Sequence, residues 1–238
     1  ISISPEAFDL CVKLNSIVVD ENNSVYDSRN LSNAIIETAT NKLVLACKNT
    51  VIPNTVKTIG SYSFADANIE HIVIPEGVTT IEDYAFAGNE NIKSITIPST
   101  VTSIGDKAFE GCSNTEIVKI AEGNAKYDSR ENCNGIIDKT TSTLIKTFKN
   151  TTIPSTITTT GAYAFANCKG LTSITIPDSV TRIGEYAFSG CTSLTSITIP
   201  NSVTRISNYA FYNCSKLTSI TIPDSVTSIG INAFYNCS

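Results

Sequence analysis

Two landmarks repeat along the chain with one period, and no other feature narrows the possible folds as much. Prolines that close an Ile-Pro pair or its equivalent stand at Pro53, Pro75, Pro98, Pro154, Pro177, Pro200 and Pro223, separated by 22, 23, 56, 23, 23 and 23 residues. Phenylalanines preceded by Ala, or once by Ser63, stand at Phe8, Phe64, Phe86, Phe109, Phe165, Phe188, Phe211 and Phe234, separated by 56, 22, 23, 56, 23, 23 and 23. The cleanest unit runs from Leu171 to Ser193 and recurs almost verbatim at Leu194 and Leu217. A unit of 23 residues cannot bury its own apolar face, so it has to stack on its neighbours, which predicts a repeat solenoid.

Within a unit, Ser173-Ile174-Thr175-Ile176 alternates with period two, so both isoleucines face the core and the hydroxyls face outward. Pro177 lacks an amide hydrogen and ends the ladder, Val180 and Ile183 supply an apolar anchor on the opposite wall, and Gly184 permits a turn. Ala187-Phe188 then tucks a small residue and a ring inside, where successive rings can stack. Each 56-residue gap resolves into one unit plus a coil of 33, because strand-like triplets at Ile17-Val18-Val19 and Val118-Lys119-Ile120 lack the following proline. This predicts one parallel sheet of nine strands in a single solenoid over residues 1–238, with long coils at about 20–52 and 121–153.

The long coils match each other at an offset of 101, Tyr26-Asp27-Ser28-Arg29 with Tyr127-Asp128-Ser129-Arg130 and Asn33-Ala34-Ile35-Ile36 with Asn134-Gly135-Ile136-Ile137. In each, two apolar runs flank polar turn residues such as Thr38-Ala39-Thr40-Asn41, which predicts a β-hairpin projecting from the stack. The acidic stretch Asp20-Glu21-Asn22-Asn23 before Asp27 offers oxygen ligands of the kind Ca²⁺ takes. Its counterpart Glu122-Gly123-Asn124 before Asp128 loses much of that set, so polar turns with an Asp-Arg pair are the expectation.

The unit Leu-x-x-Ile-x-Ile-Pro-x-x-Val-x-x-Ile-Gly-x-x-Ala-Phe-x-x-Cys resembles the BspA-like branch of the leucine-rich-repeat proteins, known from bacterial cell surfaces and some parasitic protists. The resemblance covers nearly the whole chain, and the duplicated Tyr-Asp-Ser-Arg coil resembles an expanded module of such proteins from gut and oral bacteria. Cys precedes the strand here instead of following it, and Ser or Thr stands where Asn commonly bonds the turn. The fold implied is a curved, β-rich leucine-rich-repeat solenoid with two longer coils bearing hairpins. The function implied is secreted or cell-surface adhesion, with a host or matrix protein, or else a glycan, as partner.

Charge and composition exclude other classes. Seventeen basic against 22 acidic side chains give a net charge of −5, the wrong sign for a phosphate backbone, so no nucleic acid is expected. No stretch approaches the ~18 apolar residues of a membrane span. The chain has no Met and opens Ile1-Ser2-Ile3-Ser4-Pro5, so a segment of a longer protein is expected, starting inside one unit and stopping inside another at Cys237-Ser238.

Eight cysteines are an even number, yet their positions argue against four bridges. Cys11, Cys112, Cys168, Cys191, Cys214 and Cys237 each lie three residues after a landmark Phe and so occupy one repeated site, which Ala67 and Asn89 take in two units. Their Cβ vectors run parallel along a ladder, whereas a bridge needs Cβ atoms at ~3.5–4.5 Å turned toward each other. Buried free thiols acting as small apolar side chains are expected. Cys47 aligns with Phe148 and is expected in the core; Cys133 aligns with Ser32 and is expected to be the exposed thiol. No Cys or His pair has the spacing of a metal site, and no Ser or Cys lies at a recognisable catalytic spacing from His71, the one histidine. A non-catalytic protein without metal or cofactor is the expectation.

Binding is expected on the outward face of the sheet. Four units repeat one hydroxyl pair, Ser94 with Thr96, Ser173 with Thr175, Ser196 with Thr198 and Ser219 with Thr221, a uniform surface that discriminates poorly among partners. Diversity gathers at Glu70, His71, Val73, Lys93, Glu116, Ile117 and Lys119, mixed charge around an apolar centre, with the hairpins as walls. Two further readings stay open at this point, a structural spacer that displays another domain and a sugar- or ice-binding Ser/Thr face.

Overall fold

The computed structural model describes residues 3–8, 11 and 13–237; Ile1, Ser2, Asp9, Leu10, Val12 and Ser238 lie outside the described residues. It holds two compact units, residues 1–126 and 127–238. Each is a β-solenoid in which the repeats stack in parallel, and each has two ladders on opposite walls of the core.

In the first unit the Ile-x-Ile segments His71–Val73, Ser94–Ile97 and Ile117–Ile120 pair in parallel. In the second unit Ser196–Thr198 pairs with Ser219–Thr221, and a single bridge adds Thr175. The expected nine-strand sheet is therefore two shorter ladders. Ile17–Val19 forms no strand, and the Val19 amide donates to the Ser28 hydroxyl at 2.9 Å instead of to a neighbouring repeat.

The longer ladder is the second one, where Thr58–Ile59, Thr80–Ile81 and Ser103–Ile104 pair in one unit and Thr159–Thr160, Arg182–Ile183, Arg205–Ile206 and Ser228–Ile229 in the other. The two hairpins, Ala34–Glu37 with Lys42–Ala46 and Gly135–Asp138 with Thr143–Thr147, are antiparallel, as two apolar runs around a polar turn predict. They do not project from the stack. Lys42–Ala46 and Thr143–Thr147 each pair in parallel with the next repeat, Lys42 opposite Thr58 and Thr143 opposite Thr159, so the hairpins start the second ladder. Apolar runs on both hairpin strands would otherwise be left in water.

Inside, Phe64, Phe86 and Phe109 stack at 5.1 and 5.2 Å, and Phe165, Phe188, Phe211 and Phe234 at 4.6, 5.1 and 5.2 Å. Phe8 departs from this pattern, being 37% exposed. Two residues before these rings runs a tyrosine rank that the sequence reading missed: Tyr62 and Tyr84 stack at 4.8 Å, and Tyr163, Tyr186 and Tyr209 at 4.9 and 4.6 Å. All five sit at φ between 53° and 59°. That left-handed backbone costs an L-residue about 1–2 kcal/mol, which ring stacking of comparable size offsets. The left-handed turn thus falls on tyrosine. Gly184 serves a different need, since a Cβ there would lie 2.4 Å from the Thr160 carbonyl oxygen of the preceding repeat.

All eight cysteines are free, and Cys47, Cys112, Cys168, Cys191 and Cys214 are buried as expected. The repeated site has a bonding reason. Cys112, Cys191, Cys214 and Cys237 each donate their S–H to the carbonyl of the Phe one repeat earlier, at 3.1–3.2 Å. Asn89 takes the same position and donates to the Phe64 carbonyl at 2.7 Å. Two expectations fail. Cys11 is exposed, outside the buried ladder. Cys133, expected at the surface, is buried at 0% exposure among Ile137, Leu144 and Phe165, because the 3-10 turn Arg130–Asn132 turns it inward. Burial, with help from the Asp128 and Glu131 carboxylates, pushes its thiol up to about 12.

The duplicated coils are closed by the Asp-Arg pairs. Arg29 grips Asp27 through Nε at 2.7 Å and Nη2 at 2.5 Å and reaches Asn41 of the hairpin turn at 2.6 Å; Arg130 holds Asp128 at 2.8 Å. The upstream acids form ordinary turns, with Asp20 accepting from the Asn22 amide and Asn23 from Val25 and Tyr26. The Arg29 hydrogen bonds hold the Asp27 carboxyl down to about 2. A carboxyl depressed on folding lends stability above its unfolded value near 4 and loses it as pH falls through the folded one. The stability difference between the native chain and Asp27→Asn should therefore narrow from pH 5 to pH 2.5 in urea unfolding. A constant difference would show that the pair does not anchor the coil.

Candidate binding site

Register brings all seven sequence-expected site residues onto the first ladder of the first unit. His71, Ser94 and Ile117 are partners across three strands, as are Val73, Thr96 and Lys119 two residues on. Glu70, Lys93 and Glu116 form the flanking row, tied by the Lys93 amide to the Glu70 carbonyl at 2.7 Å and the Glu116 amide to the Lys93 carbonyl at 3.1 Å. Between the outward rows Ile72, Ile95 and Val118 are buried, so the period of two fixes which side chains face out.

The start of each strand is pinned from below. Asn89 accepts from the Ile69 amide at 3.2 Å while its own amide group donates to the Phe64 and Phe86 carbonyls at 2.7 and 2.8 Å. One repeat later Cys112 bonds the Phe86 carbonyl, and the Thr115 hydroxyl donates to the Cys112 carbonyl at 2.9 Å. The surface is thus carried by a rigid base.

All seven residues are exposed. Val73 is 75% and Ile117 50% exposed, an apolar diagonal across the grid. Around it the charges alternate in the row Glu70, Lys93, Glu116, and Lys119 closes the opposite corner. Among the described residues neither Lys93 nor Lys119 forms an ion pair. Lys48, beyond the hairpin strand, reaches Glu70 at 3.8 Å. The hairpin itself pairs into the opposite ladder and does not wall this face. Lys48 was invisible in the sequence, because only the parallel pairing of Lys42–Ala46 with the next repeat brings it to Glu70.

His71 Nδ1 lies 3.3 Å from the Ser94 hydroxyl. Among the described residues no carboxylate orients the other ring nitrogen, so the contact lacks the third group that activates a serine. No group of three His, Cys, Asp or Glu among the described residues could hold a metal ion, and no helix among them is long and apolar enough to cross a membrane.

Stacked parallel strands, a phenylalanine spine and hydrogen-bonded turns define a leucine-rich-repeat solenoid. The family profile described as "BspA type Leucine rich repeat region" matches in six copies across residues 42–141 and 135–238, and the chain belongs to that family. Among solved structures, the pneumococcal vaccine antigen PcpA is similar at 23% identity and a TM-score of 0.65, over 75% of this chain and 45% of that one. A leucine-rich cell surface protein from Faecalibacterium prausnitzii A2-165 is similar at 31% identity and a TM-score of 0.59, over 78% of this chain and 56% of that one. The chain thus spans about half the length of these structures. A search of curated proteins finds no match. Family and fold are typically non-catalytic, and the relative from F. prausnitzii is described as a cell surface protein.

Proposed function

We propose that this chain is a non-catalytic binding module of a surface or secreted protein, and that it grips an extracellular protein through Glu70, His71, Val73, Lys93, Glu116, Ile117 and Lys119. The observation that carries this reading is the exposed Val73–Ile117 diagonal framed by lysines without ion-pair partners, on a sheet whose other outward positions are hydroxyls. An apolar centre within a charged rim is the anatomy of a protein–protein contact. The relative from F. prausnitzii, named a cell surface protein, supports an extracellular setting.

The test uses a panel of purified matrix and serum proteins against the immobilised chain. Lys93→Ala with Lys119→Glu should lower affinity for any binder about tenfold, close to 1.4 kcal/mol, with unchanged circular dichroism. Equal affinity for a verified binder removes this patch. The spacer reading is favoured in the second unit by the identical hydroxyl ranks, Ser196 beside Ser219 and Thr198 beside Thr221. A folded chain that binds no member of the panel would extend that reading to the first unit.

A further inference from the structure

The outward rank of the second ladder in the second unit reads Thr143, Thr159, Arg182, Arg205, Ser228, each residue the register partner of the next. Two arginines therefore stand directly opposite each other on strands about 4.8 Å apart. Like charges in that relation are destabilising, and among the described residues no carboxylate pairs with either. Both are exposed, and among the described residues neither has an ion-pair or hydrogen-bond partner for its guanidinium. The first unit handles the same rank differently. There it reads Lys42, Thr58, Thr80, Ser103, and its one cation is neutralised by Glu82 at 2.8 Å.

The row beside the arginines supplies complementary groups. Thr181, Thr204 and Thr227 donate their hydroxyl hydrogens to the carbonyls of Thr158, Thr181 and Thr204 at 3.3–3.5 Å. Their oxygens keep lone pairs directed to solvent and can only accept. The exposed surface thus offers a cluster of N–H donors with two positive charges, adjacent to a line of hydroxyl acceptors, and the rank itself holds no apolar side chain.

We propose that this face is a binding site for a sulfated glycan chain lying across the strands, a sulfate ester bridging Arg182 and Arg205 while sugar hydroxyls donate to the threonine row. A sulfate presents the oxygens that a planar guanidinium grips in pairs. The neighbouring sugar hydroxyls bring the donors that the threonines lack. An acidic peptide offers carboxylates and backbone N–H donors, and the polyglutamate arm of the test separates it from a sulfated glycan. A lipid surface demands a broad positive field, which two arginines on one rank do not provide.

The probe is a heparin octasaccharide, titrated at low and at physiological salt. The native chain should bind it, more weakly as salt rises, and Arg182→Gln with Arg205→Gln should cost about tenfold or more as both charge-assisted contacts vanish. Arg182→Lys with Arg205→Lys, which keeps the charge but not the paired geometry, should fall between the two. The Arg182→Gln, Arg205→Gln variant should unfold at or slightly above the native midpoint, because the like-charge contact is gone. No binding by the native chain, or equal binding by the double glutamine variant, overturns the proposal. So does equal binding of fully desulfated octasaccharide, of polyglutamate or of phosphatidylserine vesicles, the last two pointing to a peptide or a membrane instead. The Lys93→Ala, Lys119→Glu variant should bind the octasaccharide as the native chain does, which keeps this site separate from the protein-binding face of the first unit.

Discussion

Replacing Phe188 by alanine is expected to lower stability by about 3–5 kcal/mol, the usual cost of emptying an aromatic site in a packed core. The ring is fully buried and lies between Phe165 at 4.6 Å and Phe211 at 5.1 Å, stacked nearly parallel to both. Its backbone is equally committed, since the Phe188 amide donates to the Ala210 carbonyl at 2.7 Å and its carbonyl accepts the Cys214 S–H at 3.1 Å. A cavity at this point separates two halves of one stack. In a repeat array stability resides in contacts between neighbours, so the loss should spread to the repeats on both sides. Urea unfolding followed by tyrosine fluorescence reads the effect, there being no tryptophan. Phe8→Ala provides the contrast, because Phe8 is 37% exposed and should cost less than about 0.5 kcal/mol. If Phe188→Ala and Phe8→Ala shift the midpoint equally, the ring spine does not hold the repeats together.

That contrast also marks what the sequence could disclose. Phe188 was legible as core because its period is shared by Pro177, Ile183 and Cys191, and a shared period can arise only if the same environment recurs. Phe8 carries the same Ala-Phe signature but is followed by the first long coil and is 37% exposed, which the signature alone does not reveal. The hairpins were legible from two apolar runs around a polar turn, a pattern that pairs the two strands without saying which ladder they join. Their place beside Thr58 and Thr159 follows from pairing between distant residues. Alignment with the polar Ser32 suggests an exposed Cys133, but Ser32 is itself at 0% exposure, so the shared position is an interior one. The tyrosine rank escaped notice because left-handed backbone is assigned by habit to glycine and asparagine. The seven residues of the candidate site needed only the period of two and the repeat spacing, and both hold in that unit. The Arg182–Arg205 pair was in plain view at a spacing of 23, but an unrelieved like-charge contact becomes visible only when the partners of both side chains are known.

The buried thiols should make the protein lose stability in alkali. Cys133 and Cys214 are held up at about 12 chiefly by burial, and Cys168 and Cys191 are raised for the same reason, against an unfolded value near 9. Between those limits the unfolded chain releases thiol protons that the folded chain retains. The folded state then binds more protons, so unfolding becomes easier with rising pH: the contribution is intact below pH 9 and is lost as pH climbs toward 12. Each such thiol can steepen the fall by up to about 1.4 kcal/mol per pH unit. Tyrosines ionise over part of this range in every variant, so the informative quantity is a difference. Cys133→Ala with Cys214→Ala should start less stable, because the Phe188 carbonyl loses its S–H donor and a cavity opens, yet its stability should fall less steeply between pH 9 and 11. The same burial governs reactivity, since the thiolate is the nucleophile. At pH 8 a thiol reagent should modify Cys11 rapidly, Cys237 more slowly, and the remaining six cysteines only in denaturant, where all eight should react. Parallel pH slopes for the two proteins, or rapid modification of Cys191 in the native chain, would mean that the sulfur ladder is open to solvent and does not belong to the core.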